Sequence, residues 1–506
     1  MPTAGDRPNI LLITSDQQHW NTIGAFNPEI RTPNLDRLVR EGTVFTRAYC
    51  PNPLCTPSRA SIVTGLYPSQ HGAWSLGTKL QEEVPTVGDR LQSEGYRTAL
   101  IGKAHFQPLA STEEYPSIEA YPILQDLTFW RDFHGPFYGF EHVELTRNHT
   151  NEAHVGQHYV LWLEENGCAN WRDYYLPPTG TMDPAIRHRW DIPERWHYNT
   201  WIEERTNAAL QRYKDDGEPF FLWSSFFDPH PKYLAPEPWC SMYDPSSLKA
   251  PGTREGEHGA NPPHFALTQE AKPDFSPYKE SGFFSPGLQA HAQTEEQVRR
   301  NMATYYGMVS FLDRSVGRIL DKLAELGLAD NTIVVFTTDH GHLFGQHGLT
   351  AKGPFHYEDL LKLPFLVRYP GHVPAGRRTD ALQSLVDLAP TFLRLAGINV
   401  PRTMAGTDQS EVWTGRTERV RNHIICENRQ EPTAMYAKTY VEERYKLTVY
   451  YNRPYGELFD LREDPGEFRN LWNDPASQGV RLELMQRLVW AEMGKEPLWM
   501  PRIAGA

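Results

Sequence analysis

The 506-residue sequence predicts an α/β fold in which a large, mostly parallel or mixed sheet is covered by helices on both faces. Short, fully apolar segments alternate with amphipathic helical segments, an order that is typical of parallel sheets buried on both sides. From about residue 410 the pattern changes to short strands of the antiparallel type and one terminal helix. We therefore predict an α/β domain over residues 1–410 and a smaller α+β subdomain over residues 411–506.

The individual elements follow from apolar runs and from Pro and Gly at helix ends. NILLIT, for example, has no helical periodicity and predicts a buried strand, whereas Gly42 and Gly95 end two early helices and Pro85 begins the second of these. The predicted strands cover residues 9–14, 97–102, 219–226, 331–338 and 363–370, and the predicted helices cover residues 34–42, 85–95, 196–214 and 294–327.

Two long stretches, residues 107–195 and 228–292, interrupt this order and are predicted to be insertions. The first is rich in Trp, Tyr, His and Pro, and the second is rich in Pro, Gly and Ser. Irregular segments of this length in a compact domain are commonly functional or disordered. Their aromatic residues either stack on a sugar or aryl group of a ligand or pin the segments to the domain, and the sequence leaves both alternatives open.

Composition excludes several classes of partner. The net charge of −13 argues against nucleic acid and against an anionic membrane surface, because both need a basic face. No apolar run approaches the length that crosses a bilayer, so no membrane partner is expected. Five scattered cysteines without a CxxC pair do not form a disulfide framework. The first residues lack a secretory signal, which predicts a cytoplasmic protein, or a secreted or periplasmic one if a signal has been removed.

Polar residues follow two of the predicted strands. Asp16 and Gln17 come after NILLIT, and Asp339 and His340 come after NTIVVFTT. Ligand groups gather at the carboxyl ends of the strands in such sheets. Two carboxylates, an amide oxygen and an imidazole suit a divalent cation such as calcium, magnesium or manganese. The alternative, that each Asp only caps a following helix, stays open for either residue alone.

The segment CTPSRASIVTG at residues 55–65 resembles the C-x-P-S-R signature of the type I sulfatases, which are members of the alkaline phosphatase superfamily. Nine further segments are similar to blocks of that family and occur in the same order, so the resemblance covers nearly the whole chain. These segments are PNILLITSDQQ, TPNLDRLVREGTVFTRAYC, TGLYPSQHG, LIGKAHF, DPHPKY, TTDHGHLFGQHGLTAKG, LPFLVRYPG, VDLAPTFLRLAGI and ELFDLREDPGEFRNL. The resemblance implies an alkaline phosphatase-like fold and a sulfuric ester hydrolase.

The resemblance also implies that the Cys55 thiol is not the working group. In the family this cysteine is oxidised by a formylglycine-generating enzyme to formylglycine, whose hydrate carries two hydroxyls. One hydroxyl attacks sulfur, and the other expels sulfate by C–O cleavage. The implied metal ligands are Asp16, Gln17, Asp339, His340 and the converted Cys55, with calcium expected first and magnesium or manganese as alternatives. Many relatives have Asp at position 17 and Asn at position 340.

The basic residues of the implied site match the family pattern one by one. Arg59 would hydrogen-bond and neutralise the formylglycine centre. Lys103 would bind sulfate oxygens, and His105 would deprotonate the second hydroxyl. His230 and Lys352 would hold the sulfate and protonate the leaving oxygen. Together these groups predict an anion-binding pocket that contains a general acid for the leaving oxygen.

Three functions remain open on this basis. The first is hydrolysis of a sulfate monoester of a carbohydrate or of an aryl or alkyl alcohol, with a choline-sulfatase-like enzyme as one variant. The second is hydrolysis of phosphonate monoesters or phosphodiesters, which uses the same nucleophile. The third is a catalytically silent binding protein. This function is disfavoured because every residue of the implied site is present in the sequence. The substrate is expected to be a small anionic ester, and the sequence predicts no oligomeric state.

Overall fold

A computed structural model describes residues 7–147, 151–175 and 188–505 of the chain. In these ranges no helix is both long enough and apolar enough to span a lipid bilayer. The strands are β1 (Asn9–Ser15), β2 (Thr43–Tyr49), β3 (Arg97–Gly102), β4 (His142–Leu145), β5 (His188–Arg189), β6 (Phe220–Ser225), β7 (Leu234–Ala235), β8 (Thr332–Thr338), β9 (Leu343–Phe344), β10 (Thr350–Ala351), β11 (Lys362–Leu363), β12 (Leu366–Arg368), β13 (Arg377–Ser384), β14 (Ile424–Arg429), β15 (Tyr436–Val441), β16 (Tyr445–Tyr450) and β17 (Gly456–Asp460).

The helices are α1 (Pro33–Glu41), α2 (Cys55–Thr64), α3 (Pro68–His71), α4 (Val87–Ser93), α5 (Leu127–Asp132), α6 (Gln157–Glu165), α7 (Tyr198–Asp216), α8 (Pro263–Leu267), α9 (Glu295–Glu325), α10 (Glu358–Leu361), α11 (Leu388–Leu395), α12 (Ser410–Trp413) and α13 (Gln478–Gly494). The long predicted helices thus appear as α7 and α9. Thr294 caps α9 by accepting a hydrogen bond from the backbone N–H of Gln297, as a capping box requires.

The large sheet is mixed, and its central strands are parallel. Its order is β11–β2–β12–β8–β1–β6–β3–β4, with β13 also paired to β2. The pairs of β1 with β6 and β8, of β3 with β4 and β6, and of β13 with β2 are parallel. In contrast, β11 and β12 run antiparallel to β2. The predicted fold class is therefore confirmed.

The strand β1 shows why the central strands are apolar along their whole length. Successive side chains of a strand point to opposite faces, so Ile10 and Leu12 pack with α2, α4 and α11, whereas Leu11 and Ile13 pack with α7 and α9. All four side chains are fully buried. Each face of the sheet thus packs against its own hydrophobic core. The two cores together hold the strands in place, and with them the strand ends that bear the site residues.

Three strands of the large sheet were not predicted: β2, β4 and β13. The strand β2 has the sequence TVFTRAY and lacks a continuous apolar run, because Thr43, Thr46 and Arg47 interrupt it. The strand β4 lies inside the predicted insertion 107–195, at the edge of the sheet beside β3. The strand β13 begins with RRTD, and its first four residues alternate between half-buried and exposed positions. The segments of β4 and β13 lack a continuous apolar run because each is at or near a sheet edge, where burial on both faces is not required.

The C-terminal part contains the predicted antiparallel sheet. Its strands β14, β15, β16 and β17 pair in chain order. The helix α13 packs Leu484, Leu488 and Ala491 against the apolar side chains of this sheet. The small sheet with one terminal helix is as predicted, whereas the boundary at residue 410 stays a prediction.

Candidate active site

Four adjacent parallel strands end at one edge of the large sheet and carry the polar residues of the site. The order β8–β1–β6–β3 brings their carboxyl ends together. Asp339 follows β8, Asp16 follows β1 and Lys103 follows β3, while His230 lies five residues beyond β6. Residues that are far apart in sequence therefore converge at this edge, which is where open α/β sheets bind ligands.

Cys55 is the first residue of α2, and it lies at the centre of this group. The helix begins at Cys55, so residue 55 lies at the positive end of the helix dipole. The Cys55 Sγ atom lies 3.2 Å from His340 Nε2 and 3.7 Å from Asp16 Oδ1, and it accepts a hydrogen bond of 3.0 Å from Lys352 Nζ. The thiol is buried and surrounded by polar groups.

Four of the predicted metal ligands form one compact, buried cluster. Donor atoms of Asp16, Cys55, Asp339 and His340 all lie within 4.8 Å of one another. His340 Nδ1 donates to the Gly341 carbonyl oxygen at 3.0 Å, which leaves the Nε2 lone pair directed into the cluster. The donor set is therefore in place for one cation.

Gln17 adds an amide oxygen to this set. The Gln17 Oε1 atom is buried and has no hydrogen-bond partner among the described residues. Its Nε2 atom donates to His342 Nδ1 at 2.9 Å, and His342 Nε2 in turn donates to the Tyr233 hydroxyl at 2.9 Å. His342 and Tyr233 were not predicted, because no sequence signal links them to Gln17.

Arg59 lies outside the ligand cluster and binds the carboxylate of Asp339. Its Nε donates to Asp339 Oδ2 at 2.9 Å, and its terminal nitrogen donates at 2.8 Å to the Lys103 carbonyl oxygen and to the Ser225 hydroxyl. The Ser58 hydroxyl donates to the Asp339 carbonyl oxygen at 2.6 Å. Arg59 is fully buried, so it neutralises Asp339 and joins the ends of β3, β6 and β8.

The remaining predicted basic residues surround Cys55 on the other side. Lys103 forms an ion pair with Asp16. Lys352 Nζ lies 3.2 Å from His230 Nε2, and both His105 and His230 hydrogen-bond the Cys55 side chain. The structure thus brings together every residue predicted for the site.

The protonation states follow from this environment. Burial alone would raise the pKa of the Cys55 thiol, but the charges of Lys103 and Lys352 hold it well below its usual value. Burial lowers the pKa of His105 well below its usual value, and Arg147 adds to this effect. Burial also lowers the pKa of His230, with a further contribution from Lys352. The pocket therefore favours an anion at residue 55 and neutral histidines beside it.

The donor set fits a divalent cation. Three of its side chains offer oxygen, which hard cations prefer, and one offers imidazole nitrogen, which manganese and zinc also accept. The free Gln17 Oε1 atom is a buried acceptor that a cation would satisfy, and the two buried carboxylates of Asp16 and Asp339 would gain a further positive neighbour. The residues that would hold the cation are Asp16, Gln17, Asp339, His340 and residue 55.

Comparison with known proteins first defines the class. The phosphonate monoester hydrolase of Agrobacterium radiobacter has a similar structure, with a TM-score of 0.79 and 25% sequence identity over 98% of each chain. Together with the mixed sheet and the ligand group at its edge, this similarity defines a member of the alkaline phosphatase superfamily.

The sequence comparison is more specific. The family model described as Sulfatase matches residues 8–398. The chain therefore belongs to the sulfatase family, and it is a sulfatase enzyme. A second family model, described as N-sulphoglucosamine sulphohydrolase, C-terminal, matches residues 345–493, a range that includes the small antiparallel sheet.

Two curated relatives cover nearly the whole chain. An arylsulfatase of Clostridium perfringens (strain 13 / Type A) is 28% identical over 97% of this chain and 95% of its own length. The multifunctional alkaline phosphatase superfamily protein PehA of Trinickia caryophylli is 28% identical over 96% of this chain and 95% of its own length. These relatives have different names for their activities, so similarity alone does not fix the substrate.

Proposed function

We propose that this enzyme hydrolyses a sulfate monoester of a carbohydrate or of an aryl or alkyl alcohol, and that Cys55, once converted to formylglycine, supplies the nucleophile. The observation that carries the proposal is the position of residue 55. It lies between a cluster of cation ligands and a set of basic side chains, in contact with both. This arrangement can hold an anionic ester with its sulfur atom beside residue 55.

The conversion of Cys55 is a two-electron oxidation in which the CH2–SH group becomes an aldehyde and the sulfur leaves as hydrogen sulfide. A formylglycine-generating enzyme would carry it out with dioxygen as the oxidant, and a thiol reductant would supply the other two electrons that reduce dioxygen to water. Water then adds to the aldehyde, so residue 55 carries two hydroxyls on one carbon. The Cys55 Sγ atom marks the position that one of these oxygens would take, 3.0 Å from Lys352 Nζ and 3.2 Å from His340 Nε2.

In the first step, one hydroxyl of residue 55 attacks sulfur and the bond from sulfur to the alcohol oxygen breaks. A divalent cation bound by the ligand group would lower the pKa of that hydroxyl and draw charge from the sulfate. Lys352 and His230 lie on one side of the attacking atom, 3.2 Å apart, where they can hold sulfate oxygens and deliver a proton to the leaving alcohol.

In the second step, the remaining hydroxyl of residue 55 loses its proton to His105. The C–O bond to the sulfate breaks as the aldehyde forms again, and sulfate leaves with the electron pair of that bond. His105 is suited to accept the proton because burial keeps its imidazole neutral. A serine in place of residue 55 has no second hydroxyl and would stop after the first step.

A second candidate, the hydrolysis of phosphonate monoesters or phosphodiesters, has specific support. The similarity to the phosphonate monoester hydrolase of Agrobacterium radiobacter extends over 98% of each chain, and the same groups can hold a phosphorus centre. We favour the sulfate ester because residues 8–398 match the Sulfatase family model.

The experiment that separates the two candidates is a comparison of kcat/KM on one preparation of converted enzyme. The panel contains sulfated mono- and disaccharides, choline sulfate, an aryl sulfate, a phosphonate monoester and a phosphodiester. We expect at least one sulfate ester to exceed both phosphorus esters by tenfold or more. A clear preference for a phosphorus ester would overturn the proposed substrate class, and Cys55→Ala serves as the inactive control.

A further inference from the structure

A buried ion pair outside the ligand cluster holds the backbone of His105. Glu119 Oε1 accepts hydrogen bonds from the backbone N–H groups of His105 at 3.0 Å and Phe106 at 3.4 Å. The other carboxylate oxygen of Glu119 pairs with Arg147, which also donates to the Gln107 carbonyl oxygen at 2.8 Å. Glu119 and Arg147 are both buried. Three consecutive residues are thus held by one carboxylate and its guanidinium partner.

The held segment has a backbone conformation that needs support. His105 has a φ angle of 59°, in the left-handed region that residues with a side chain rarely adopt. The parallel pairing of β3 and β4 aligns Gly102 with Leu145, so Arg147 comes two residues after its strand beside the start of this segment. Among the described residues, neither Glu119 nor Arg147 hydrogen-bonds Cys55. The charge of Arg147 acts on Cys55 through space, whereas the contacts of the ion pair reach the site through the backbone of His105.

We propose that the Glu119–Arg147 ion pair is a positioning element that fixes His105 for the release of sulfate from residue 55. The inference rests on the proposed function, in which His105 takes the proton that starts this step. Loss of the pair slows the second step and leaves the first largely unchanged. The enzyme then accumulates with sulfate esterified to residue 55.

The test is a pre-steady-state measurement with a chromogenic aryl sulfate on converted enzyme. For Glu119→Gln we expect a burst of about one alcohol per active site, a steady-state rate at least tenfold below wild type, and sulfated residue 55 detected by mass spectrometry after quenching. Arg147→Lys, which retains the charge, provides a second variant and should show the same effect more weakly. Arg421→Lys, in the remote buried pair with Asp387, is the matched control and should behave as wild type.

Two results would overturn the inference. If the variants lose steady-state rate without accumulating sulfated residue 55, or lose no rate, the ion pair has no positioning role, while the proposed function stands. If Cys55→Ala consumes the aryl sulfate as fast as converted wild type, the proposed function fails and the inference fails with it.

An independent observation concerns the outer face of α13. Nine of the sixteen large apolar side chains that are exposed in the described ranges lie between residues 482 and 503. Four of them form a stripe along α13, opposite the face that packs on the small sheet: Leu482, Met485, Val489 and Met493. Trp490 lies beside the stripe and is 59% exposed. Clusters of exposed apolar side chains often mark interaction surfaces.

We infer that this stripe binds a second copy of the chain, with α13 packed against α13 across a two-fold axis. The positions of the stripe recur every three to four residues and carry no charge, so the stripe is complementary to itself, as a two-fold contact requires. Exposed apolar side chains continue beyond the end of α13 at Leu498, Trp499, Met500 and Ile503, and they extend the surface towards the roughly 800 Å² per partner that a stable interface buries.

Light scattering coupled to size-exclusion chromatography at micromolar concentration tests this second inference. We expect a dimer or a multiple of it for wild type, and a halved mass for the double variant Val489→Glu, Met493→Glu. Val420→Glu, at an exposed apolar position outside the stripe, should keep the wild-type mass. A monomeric wild type, or a double variant with unchanged mass, would overturn the inference.

Discussion

Gln17 contributes the amide of the predicted ligand set, which otherwise consists of two carboxylates, an imidazole and residue 55. Its Nε2 atom is committed to His342, whose pKa burial holds well below the usual value, so that the imidazole stays neutral. The oxygen is thereby left buried and without a hydrogen-bond partner among the described residues. A ligand set with one amide in place of a carboxylate carries one negative charge less, which matches a pocket that must also admit an anionic ester.

The substitution Gln17→Leu tests this role. Leucine has a similar size but no donor oxygen, so we expect the affinity for Ca²⁺ to fall by 10- to 100-fold in isothermal titration calorimetry. The same substitution at Gln211, on the surface of α7, is the control and should leave the affinity unchanged. An unchanged affinity in Gln17→Leu would remove Gln17 from the ligand set.

Lys352 is expected to act on the leaving group as well as on the sulfate. We predict that Lys352→Met lowers kcat by about 10²- to 10⁴-fold for an alkyl sulfate. In this variant the group that helps to protonate the leaving alcohol is lost, so general acid catalysis is weakened. The loss should be smaller for a nitrophenyl sulfate, whose phenolate leaves without a proton. Equal losses for the two substrates, measured as kcat ratios, would argue that Lys352 only binds the sulfate.

At the scale of elements, Glu427 joins the small antiparallel sheet to α3 and to the residue that follows α13. On β14, it accepts hydrogen bonds from the backbone and hydroxyl of Ser69 and forms ion pairs with Lys438 and Lys495. Burial alone would raise the pKa of Glu427, but the two lysines lower it to about 2. The carboxylate therefore links β14, β15, the start of α3 and the end of α13.

The lowered pKa makes a prediction for stability against pH. A carboxylate whose pKa is lower in the folded state stabilises the fold above its unfolded pKa of about 4.5, and this contribution is lost as the pH falls from there towards 2. We expect Glu427→Gln to cost about 1–3 kcal/mol at pH 7. Thermal unfolding should show a Tm difference from wild type that narrows below pH 4.5.

An exposed carboxylate supplies the control for this prediction. Glu443 forms only surface ion pairs with Arg419 and Arg462, which contribute little to stability. Glu443→Gln should therefore have a Tm close to wild type at every pH. A Glu427→Gln variant with the same pH profile as wild type would show that the pair with the lysines contributes nothing to folding.

Elements with a strong local signal were predictable, and those set by distant partners were not. The strands β1, β6 and β8 are continuous apolar runs, and α9 is a long amphipathic segment with a cap at Thr294, so each is determined by its own sequence. The strand β4 is short and lies in an aromatic-rich segment, and it forms because β3 offers a free edge. No local pattern contains that information.

The same distinction holds for the site. Asp16 and Asp339 follow apolar strands, and Cys55 lies in a recognisable motif, so their convergence was predictable. The chain from Gln17 through His342 to Tyr233, and the support of His105 by Glu119 and Arg147, join residues that the fold alone brings together. Their roles depend on contacts that form only in the folded structure.

At the scale of the whole molecule, a bound cation should stabilise the fold. The ligands come from β1, α2 and the end of β8, so binding joins elements that are separate in the unfolded chain, and a cation at 100 times its Kd adds about 2.7 kcal/mol. We expect dialysis against a chelator to abolish activity and lower Tm, and Ca²⁺ to restore both. Asp339→Asn should show little Ca²⁺-dependent change in Tm.

A chelated enzyme that keeps full activity and an unchanged Tm would contradict this prediction, once metal analysis confirms that the cation has been removed. Manganese and magnesium are then added back separately, and the cations are ranked by the Tm that each one restores. The order tests whether His340 shifts the preference away from calcium.

The central claim, that residue 55 works as formylglycine and not as cysteine, is tested most directly by peptide mass spectrometry on samples of graded conversion. The enzyme is expressed with increasing amounts of a formylglycine-generating enzyme, and the fraction of residue 55 present as aldehyde or hydrate is compared with kcat on the preferred sulfate ester. We predict that kcat rises in proportion to the converted fraction and is near zero at no conversion. Full activity from protein that retains an unmodified Cys55 would contradict the account.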